Sequence, residues 1–355
     1  MHRKLSIGLL WMLSTAAFSQ TAYQLDKMSM EALNRGLIAM RQTEDSLSVS
    51  WRLLREDPEQ VAFDLYAGDS LLVKNTSATY LKFSTRGLDF SRPMTFRVLA
   101  HARKGKILDR LKEGVYTLPA NAPLGYLDIP LDKPEDGWFD LYTSYSYSAN
   151  DCTVADVDGD GELEIILKWD PSNAHDNSHN GHTGNVYVDC YSLKAGALAN
   201  DTDHHYKWRI DLGPNIRAGA HYTQIMAADL DGDGKAEIVM KTADGTIDGK
   251  GNVIGDSSAF WVNENGHIDA GPEFLTVFSG ETGEALYTTN YVPERGAPGL
   301  WGDLKSNRSE RYLACVAYLG NTSAKTGKLL PSVVMCRGYY TRVAIVAWDW
   351  DGREL

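Results

Sequence analysis

Asp156-Val157-Asp158-Gly159-Asp160-Gly161-Glu162-Leu163-Glu164 returns further along the chain as Asp229-Leu230-Asp231-Gly232-Asp233-Gly234-Lys235-Ala236-Glu237. The shared acidic positions are offset by 73 residues. Carboxylates at alternate positions of a tight turn can converge on one ion, and calcium takes about six to eight oxygen ligands. Gly161 and Gly234 supply the backbone freedom such a turn needs. An EF-hand is excluded, because that loop places its bidentate Glu at the twelfth position. Leu167 and Met240 stand there, and the last acid is the ninth residue. The apolar runs that follow, Ile165-Ile166-Leu167 and Ile238-Val239-Met240, read as short buried strands. The stretches are therefore expected to be calcium loops inside an all-β repeat. The competing reading, two metal-free Asp-rich turns, leaves the acids of each loop repelling one another.

Working outward, Arg3, Lys4 and the mostly apolar run Leu5–Phe18 have the form of a secretory signal, with Ala17-Phe18-Ser19 as the cleavage site. The apolar run is too short to span a bilayer. Residues 1–19 are therefore assigned as a signal peptide, and the protein is expected to be exported, periplasmic or secreted, with no membrane span. Cleavage takes the net charge from -12 to -14, since two basic residues and no acids leave. That acidity argues against a nucleic-acid partner. It suits bound cations that bridge the protein to an anionic polymer. Cys152, Cys190, Cys315 and Cys336 lack metal spacing, and either disulfides or free buried thiols fit them.

Residues 20–135 read as a small β-sandwich of the fibronectin type III sort. Strands are expected at Leu37–Ala39, Leu47–Leu53, Val61–Tyr66, Tyr80–Phe83 and Met94–Ala100, with Trp51 in the core. Met30–Arg41 alternatively opens with a helical turn. Pro119 to Pro134 holds four prolines and is the linker, about 119–135. Residues 136–355 read as an incomplete calcium-binding β-propeller. Asp349-Trp350-Asp351-Gly352-Arg353 resembles a turn between strands, weak as a calcium loop. A chain that stops in mid-propeller is expected to be a portion of a longer protein.

Longer strings then match a known family. Asn34-Arg35-Gly36-Leu37, Ser50-Trp51-Arg52-Leu53-Leu54, Tyr147-Ser148-Ala149-Asn150-Asp151, Ile166-Leu167-Lys168-Trp169-Asp170-Pro171-Ser172-Asn173, Arg217-Ala218-Gly219-Ala220-His221-Tyr222-Thr223-Gln224 and Lys241-Thr242-Ala243-Asp244-Gly245-Thr246 resemble polysaccharide lyase family 11. Trp301-Gly302-Asp303, Asn307-Arg308 and Arg337-Gly338-Tyr339-Tyr340-Thr341-Arg342 continue the likeness. The resemblance implies a β-sheet N-terminal domain, a calcium-rich propeller of about eight blades, and a monomer. It implies β-elimination in the rhamnogalacturonan I backbone of pectin, at the bond between rhamnose and galacturonate. The C5 proton of galacturonate lies α to a carboxylate, and a cation that quenches the carboxylate charge acidifies it.

Carried over residue by residue, Asn150 and Asp170 match polar residues facing substrate. His221 lies in a matched motif, as a ligand or a buried structural histidine. Asp151, Asp156, Asp158, Asp160, Glu162 and Glu164 match one calcium site. Asp229, Asp231, Asp233, Lys235 and Glu237 match a second, with Glu162 and Lys235 contributing backbone carbonyls. Asp244, Thr246, Asp248 and Asp256 have the look of a further oxygen-ligand loop or a polar turn. His175, His179 and His182 read as a solvated loop rather than a zinc site.

The family's proton-transfer residues lie in the second half of an intact enzyme, so no general base is matched. Arg217, Lys241, Arg308, Arg337 and Arg342 each fit a catalytic role or a clamp on carboxylates or carbonyls. A chain without the base is expected to run at least ~1000-fold below an intact relative. The alternative is a non-catalytic calcium-stabilised propeller that binds carbohydrate or protein.

Overall fold

The computed structural model describes residues 27–102, 113–138, 142–193 and 204–355. The signal-peptide reading of residues 1–19 lies outside them. The described chain is all-β apart from short 3-10 turns such as Pro298–Trp301. No helix among the described residues is long and apolar enough to cross a membrane.

Seven strands build the first unit: β1 (Ile38–Thr43), β2 (Ser46–Ser50), β3 (Val61–Ala67), β4 (Ser70–Thr76), β5 (Tyr80–Ser84), β6 (Met94–Ala102) and β7 (Gly114–Leu118). They form two antiparallel sheets, β1-β2-β5 and β4-β3-β6-β7. Period-two alternation turns Leu47 and Val49 from one sheet, and Phe63, Leu65, Phe96 and Val98 from the other, into a shared core. Trp51 joins it, edge-on to Phe63 at 5.4 Å. The helical turn allowed for after Met30 is absent, and residues 29–37 run without regular structure into β1. The stretch from Pro119 to Asp136 also holds no strand.

Beyond the small hairpin of β8 (Gly137–Trp138) and β9 (Ser144–Tyr145) come three larger sheets. The first joins β10 (Tyr147–Ala155), β11 (Glu164–Pro171), β12 (Tyr187–Ser192) and β13 (Tyr206–Asp211), extended by β16 (Thr246–Ile247) and β17 (Val253–Ile254). The second holds β14 (Met226–Ala228), β15 (Glu237–Thr242), β18 (Phe274–Ser279) and β19 (Ala285–Asn290). The third holds β20 (Tyr312–Ala317), β21 (Ser332–Arg337) and β22 (Ala344–Trp348). All pair antiparallel.

The sheets stack in chain order, which explains the flat apolar runs. All six residues of β15 are buried. Ile238 and Met240 pack against Ile166, Val188 and Ile210 of the first sheet. Val239 points the other way, into a core with Leu275, Tyr312, Val333 and Met335. A strand buried on both faces loses the polar alternation that marks a solvated one. Among the described residues no strand pairing joins the third of these sheets back to the first. All four cysteines are free, with Cys190 buried and Cys152 exposed. Cys315 and Cys336 lie on paired strands but face Val334 and Leu313 rather than each other.

Candidate functional site

Each acidic loop joins the first two strands of a sheet, β10 to β11 and β14 to β15, and the two copies share one hydrogen-bond pattern. Asp156 accepts from the N–H groups of Gly159 and Gly161, at 2.7 and 2.8 Å. Asp229 accepts likewise from Gly232 and Gly234, at 2.8 and 3.2 Å. Glu164 reaches back to the Val157 N–H at 3.2 Å, and Glu237 to that of Leu230 at 2.9 Å. Gly161 and Gly234 have φ of 85° and 97°, a region that side chains disfavour. Ligand atoms of Asp156, Asp158 and Glu164, and of Asp229, Asp231 and Glu237, lie within 4.8 Å of one another.

Burial, first of all, pushes the Glu164 carboxyl up to about 7 and the Glu237 carboxyl to about 8. At Glu164 the Lys207 ammonium and then the Val157 N–H oppose this, and at Glu237 the Leu230 N–H does; neighbouring loop carboxylates add to it at both. An all-oxygen, carboxylate-rich donor set with this excess of negative charge suits a hard cation such as calcium. Asp160 and Asp233 each accept from an N–H of their own loop, at Glu162 and Lys235. The Glu162 side chain is spent on Asn34 Nδ2 at 2.6 Å, and that of Lys235 on Glu281 at 2.5 Å, so neither adds a side-chain ligand.

Two of the expected metal groupings are not gathered into one cluster among the described residues. Asp151 is not in the first loop: it lies five residues earlier on β10, and its carboxylate takes the Lys168 ammonium at 3.1 Å. Asp244, Thr246, Asp248 and Asp256 do not converge either, because their oxygens hold turns. Asp244 accepts from the Asp256 N–H and the Trp261 indole, both at 2.9 Å. Thr246 donates to the Leu212 carbonyl. Asp248 gathers the N–H groups of Lys250, Asn252 and Ala285, and Asp256 binds Ser258.

The far end of β11 carries the substrate-facing candidates. Glu164 and Asp170 are six residues apart on one strand, about 20 Å at a strand's rise. Asp170 is buried; its Oδ1 has no hydrogen-bond partner and its Oδ2 lies 3.7 Å from Lys168 Nζ. Burial raises its carboxyl, against the pull of Lys168. Asn150, in the β10 bulge, is exposed and accepts the Asp151 N–H at 2.7 Å. His221 packs edge-to-face on Tyr339 at 6.3 Å, and its carbonyl accepts the Tyr312 N–H. His175 Nδ1 bonds the Asn173 carbonyl and His179 pairs with Ser178, and no His joins a metal cluster among the described residues.

The five basic residues separate. Arg217 is buried and donates to the carbonyls of His175, Asp176, His179, Gly181 and Gly266. Lys241 and Arg337 join Arg295 around Glu273 and Glu310, all buried. Burial alone would raise the Glu273 carboxyl, but Lys241, Arg337 and Arg295 hold it well below the usual range. Arg342 lies over Trp301 at 4.3 Å and Arg308 over Tyr340 at 5.4 Å.

Sequence reasoning missed Glu273, Arg295 and Glu310, which carry no local motif. It also missed Lys207 of β13, whose ammonium bonds Asp158 and stands 4.0 Å from Glu164. Glu31 escaped too: it lines a pocket of about 170 Å³ with Asp229 and Tyr318. Burial, then Asp156 and Asp229, push its carboxyl up to about 7.

The family model described as "Rhamnogalacturonan lyase family 11, C-terminal domain" matches residues 126–355. The chain belongs to rhamnogalacturonan lyase family 11. A second model, "Rhamnogalacturonan I lyases beta-sheet domain", matches residues 28–88. The rhamnogalacturonan exolyase YesX of Bacillus subtilis (strain 168) is 49% identical over 329 residues, 93% of this chain and 50% of that protein. The rhamnogalacturonan endolyase YesW of the same organism is 46% identical over 325 residues, 91% of this chain and 48% of that one. The crystal structure of rhamnogalacturonan lyase YesW superposes with a TM-score of 0.80 at 44% identity, covering 92% of this chain and 52% of that one. A Bacillus licheniformis family 11 rhamnogalacturonan lyase gives 0.77 at 45% identity, covering 92% and 52%. This family 11 chain thus spans about half the length of the curated relatives it matches.

Proposed function

We propose that this chain acts on rhamnogalacturonan I as a lyase, cleaving the rhamnose-galacturonate backbone by β-elimination with calcium. The observation that carries this reading is the family match across residues 126–355 together with the paired acidic loops inside it. Asp156, Asp158 and Glu164 would hold one ion, and Asp229, Asp231 and Glu237 a second. The first of these ions would lie about 20 Å from Asp170 by strand rise, too far to touch a sugar bound there, and we assign both ions to bracing the fold. A calcium ion bound with the substrate would neutralise the uronate carboxylate and so acidify the C5 proton. Asn150 and Asp170 would present an amide and a carboxylate oxygen to sugar hydroxyls, and His221 is a further candidate for substrate contact.

We further propose that residues 20–135 form a fibronectin type III-like sandwich, and that the three stacked sheets are blades of a propeller. Residues 1–19 act as an export signal, which places the protein where pectin is met. One relative is named an exolyase and the other an endolyase, so both cleavage modes occur among the relatives. Incubation with rhamnogalacturonan I and calcium should raise ultraviolet absorbance as the conjugated uronate double bond forms. Binding of the polymer with no absorbance change would favour the non-catalytic alternative.

A further inference from the structure

We propose that Lys168 is a positioning residue for the polysaccharide site: held by Asp151, its ammonium steers one oxygen of Asp170 and leaves the other as an acceptor for a sugar hydroxyl. This rests on the reading that Asp170 faces the polysaccharide. Lys168 and Asp170 are two apart on β11, so their side chains leave the same face. Opposite them, β10 bulges. Ala149 pairs with Trp169 and Cys152 with Leu167, so Asn150 and Asp151 together oppose Lys168. A bulge re-aims side chains, and here it brings Asp151 onto the ammonium.

The Lys168 side chain is only 1% exposed, against 74% for that of Asp151. A buried ammonium persists only when it is paired. Its bond to Asp151, at 3.1 Å, is the close one, and the approach to Asp170, at 3.7 Å, is looser. Asp170 is thereby oriented without being consumed. Its Oδ1 is unpartnered and closed to solvent as it stands; an unsatisfied buried acceptor is costly, and a small turn of the side chain about the Lys168 contact would offer it to a sugar hydroxyl.

Lys168 on its own strand and Asp151 on β10 are the charged groups facing Asp170. On the other side, pairing with β12 ends at Trp169 opposite Tyr187, one residue short of Asp170. Burial raises the Asp170 carboxyl; Lys168 opposes that rise and Asp151 adds to it.

The test uses the whole chain and the variants Lys168→Met, Lys168→Arg and Asp151→Asn. The Asp170 carboxyl is followed by carbon-13 NMR across pH, and binding of a rhamnogalacturonan I oligosaccharide is followed by calorimetry. Lys168→Met should raise the Asp170 titration midpoint by about one unit or more, and weaken binding at least ~10-fold near the acid limb, with recovery at alkaline pH. Lys168→Arg keeps the charge and should largely restore binding. Asp151→Asn, at an exposed site, should lower the midpoint, and serves if Lys168→Met fails to fold. An unmoved midpoint in the folded variants, or a loss of binding equal at every pH, overturns the proposal. A shifted midpoint with no oligosaccharide bound by the parent chain upholds the steering by Lys168, but refutes the substrate reading beneath it.

Discussion

Glu164 and Glu237 close the two loops, and their raised carboxyls make the ion-free loops sensitive to pH. Between the ordinary carboxylate value of about 4.3 and the folded values, the native state binds protons that the unfolded chain does not. With chelator present, stability should therefore fall as pH rises from about 5 to 8, across the folded values of about 7 and about 8. Saturating calcium should flatten that slope, because the ion replaces the protons. Melting curves in chelator and in calcium at both ends of the window check this. Glu237→Gln keeps an acceptor for the Leu230 N–H and removes the charge. It should raise the melting temperature of the chelated protein and shrink the gain on adding calcium. The converging acids were legible because their spacing fixes them. Lys207, Glu31 and the Asp151–Lys168 pair were not, because each meets its partner through strand pairing or chain crossing.

At the scale of elements, both flat apolar runs after the loops were legible as strands, and stacking of the sheets explains their flatness. At Asp244–Asp256 the oxygens expected in an oxygen-ligand loop hold turns instead of gathering, because Asp and Thr oxygens serve turns as readily as ions and their spacing alone does not separate the two. The Glu273–Glu310 network was illegible for a different reason. Its members come from the ends of β15 and β21 and from the loops before β18 and β20. Arg337 donates to Glu273, Glu310 and the carbonyls of Pro293 and Ser309. Arg337→Met leaves buried carboxylates short of a partner and should cost about 3–5 kcal/mol in urea unfolding. Glu273 is held low, so its contribution is present above the ordinary carboxylate value and is lost only as pH falls through its depressed folded value. The parent network should therefore survive mild acid.

Across the whole molecule, a sandwich is followed by three stacked sheets, with acidic loops at one end of the first two and Asp170 at the other. The all-β class was legible from the repeat alone, whereas closure of a ring depends on contacts that no local pattern encodes. If the loop ions brace the sheets, removing calcium should lower the melting temperature by several degrees, and Asp158→Ala with Asp231→Ala should reproduce the chelated behaviour. The central claim, β-elimination directed at an alternating rhamnose-galacturonate backbone, is tested most directly by ultraviolet absorbance on two polymers. Rhamnogalacturonan I and homogalacturonan are each incubated with the chain, with calcium or chelator, at a sensitivity that detects rates ~10³-fold below those of a complete acid-base site. The account predicts a calcium-dependent rise on rhamnogalacturonan I and none on homogalacturonan. Equal cleavage of homogalacturonan, or no rise on rhamnogalacturonan I at any calcium concentration, would contradict it.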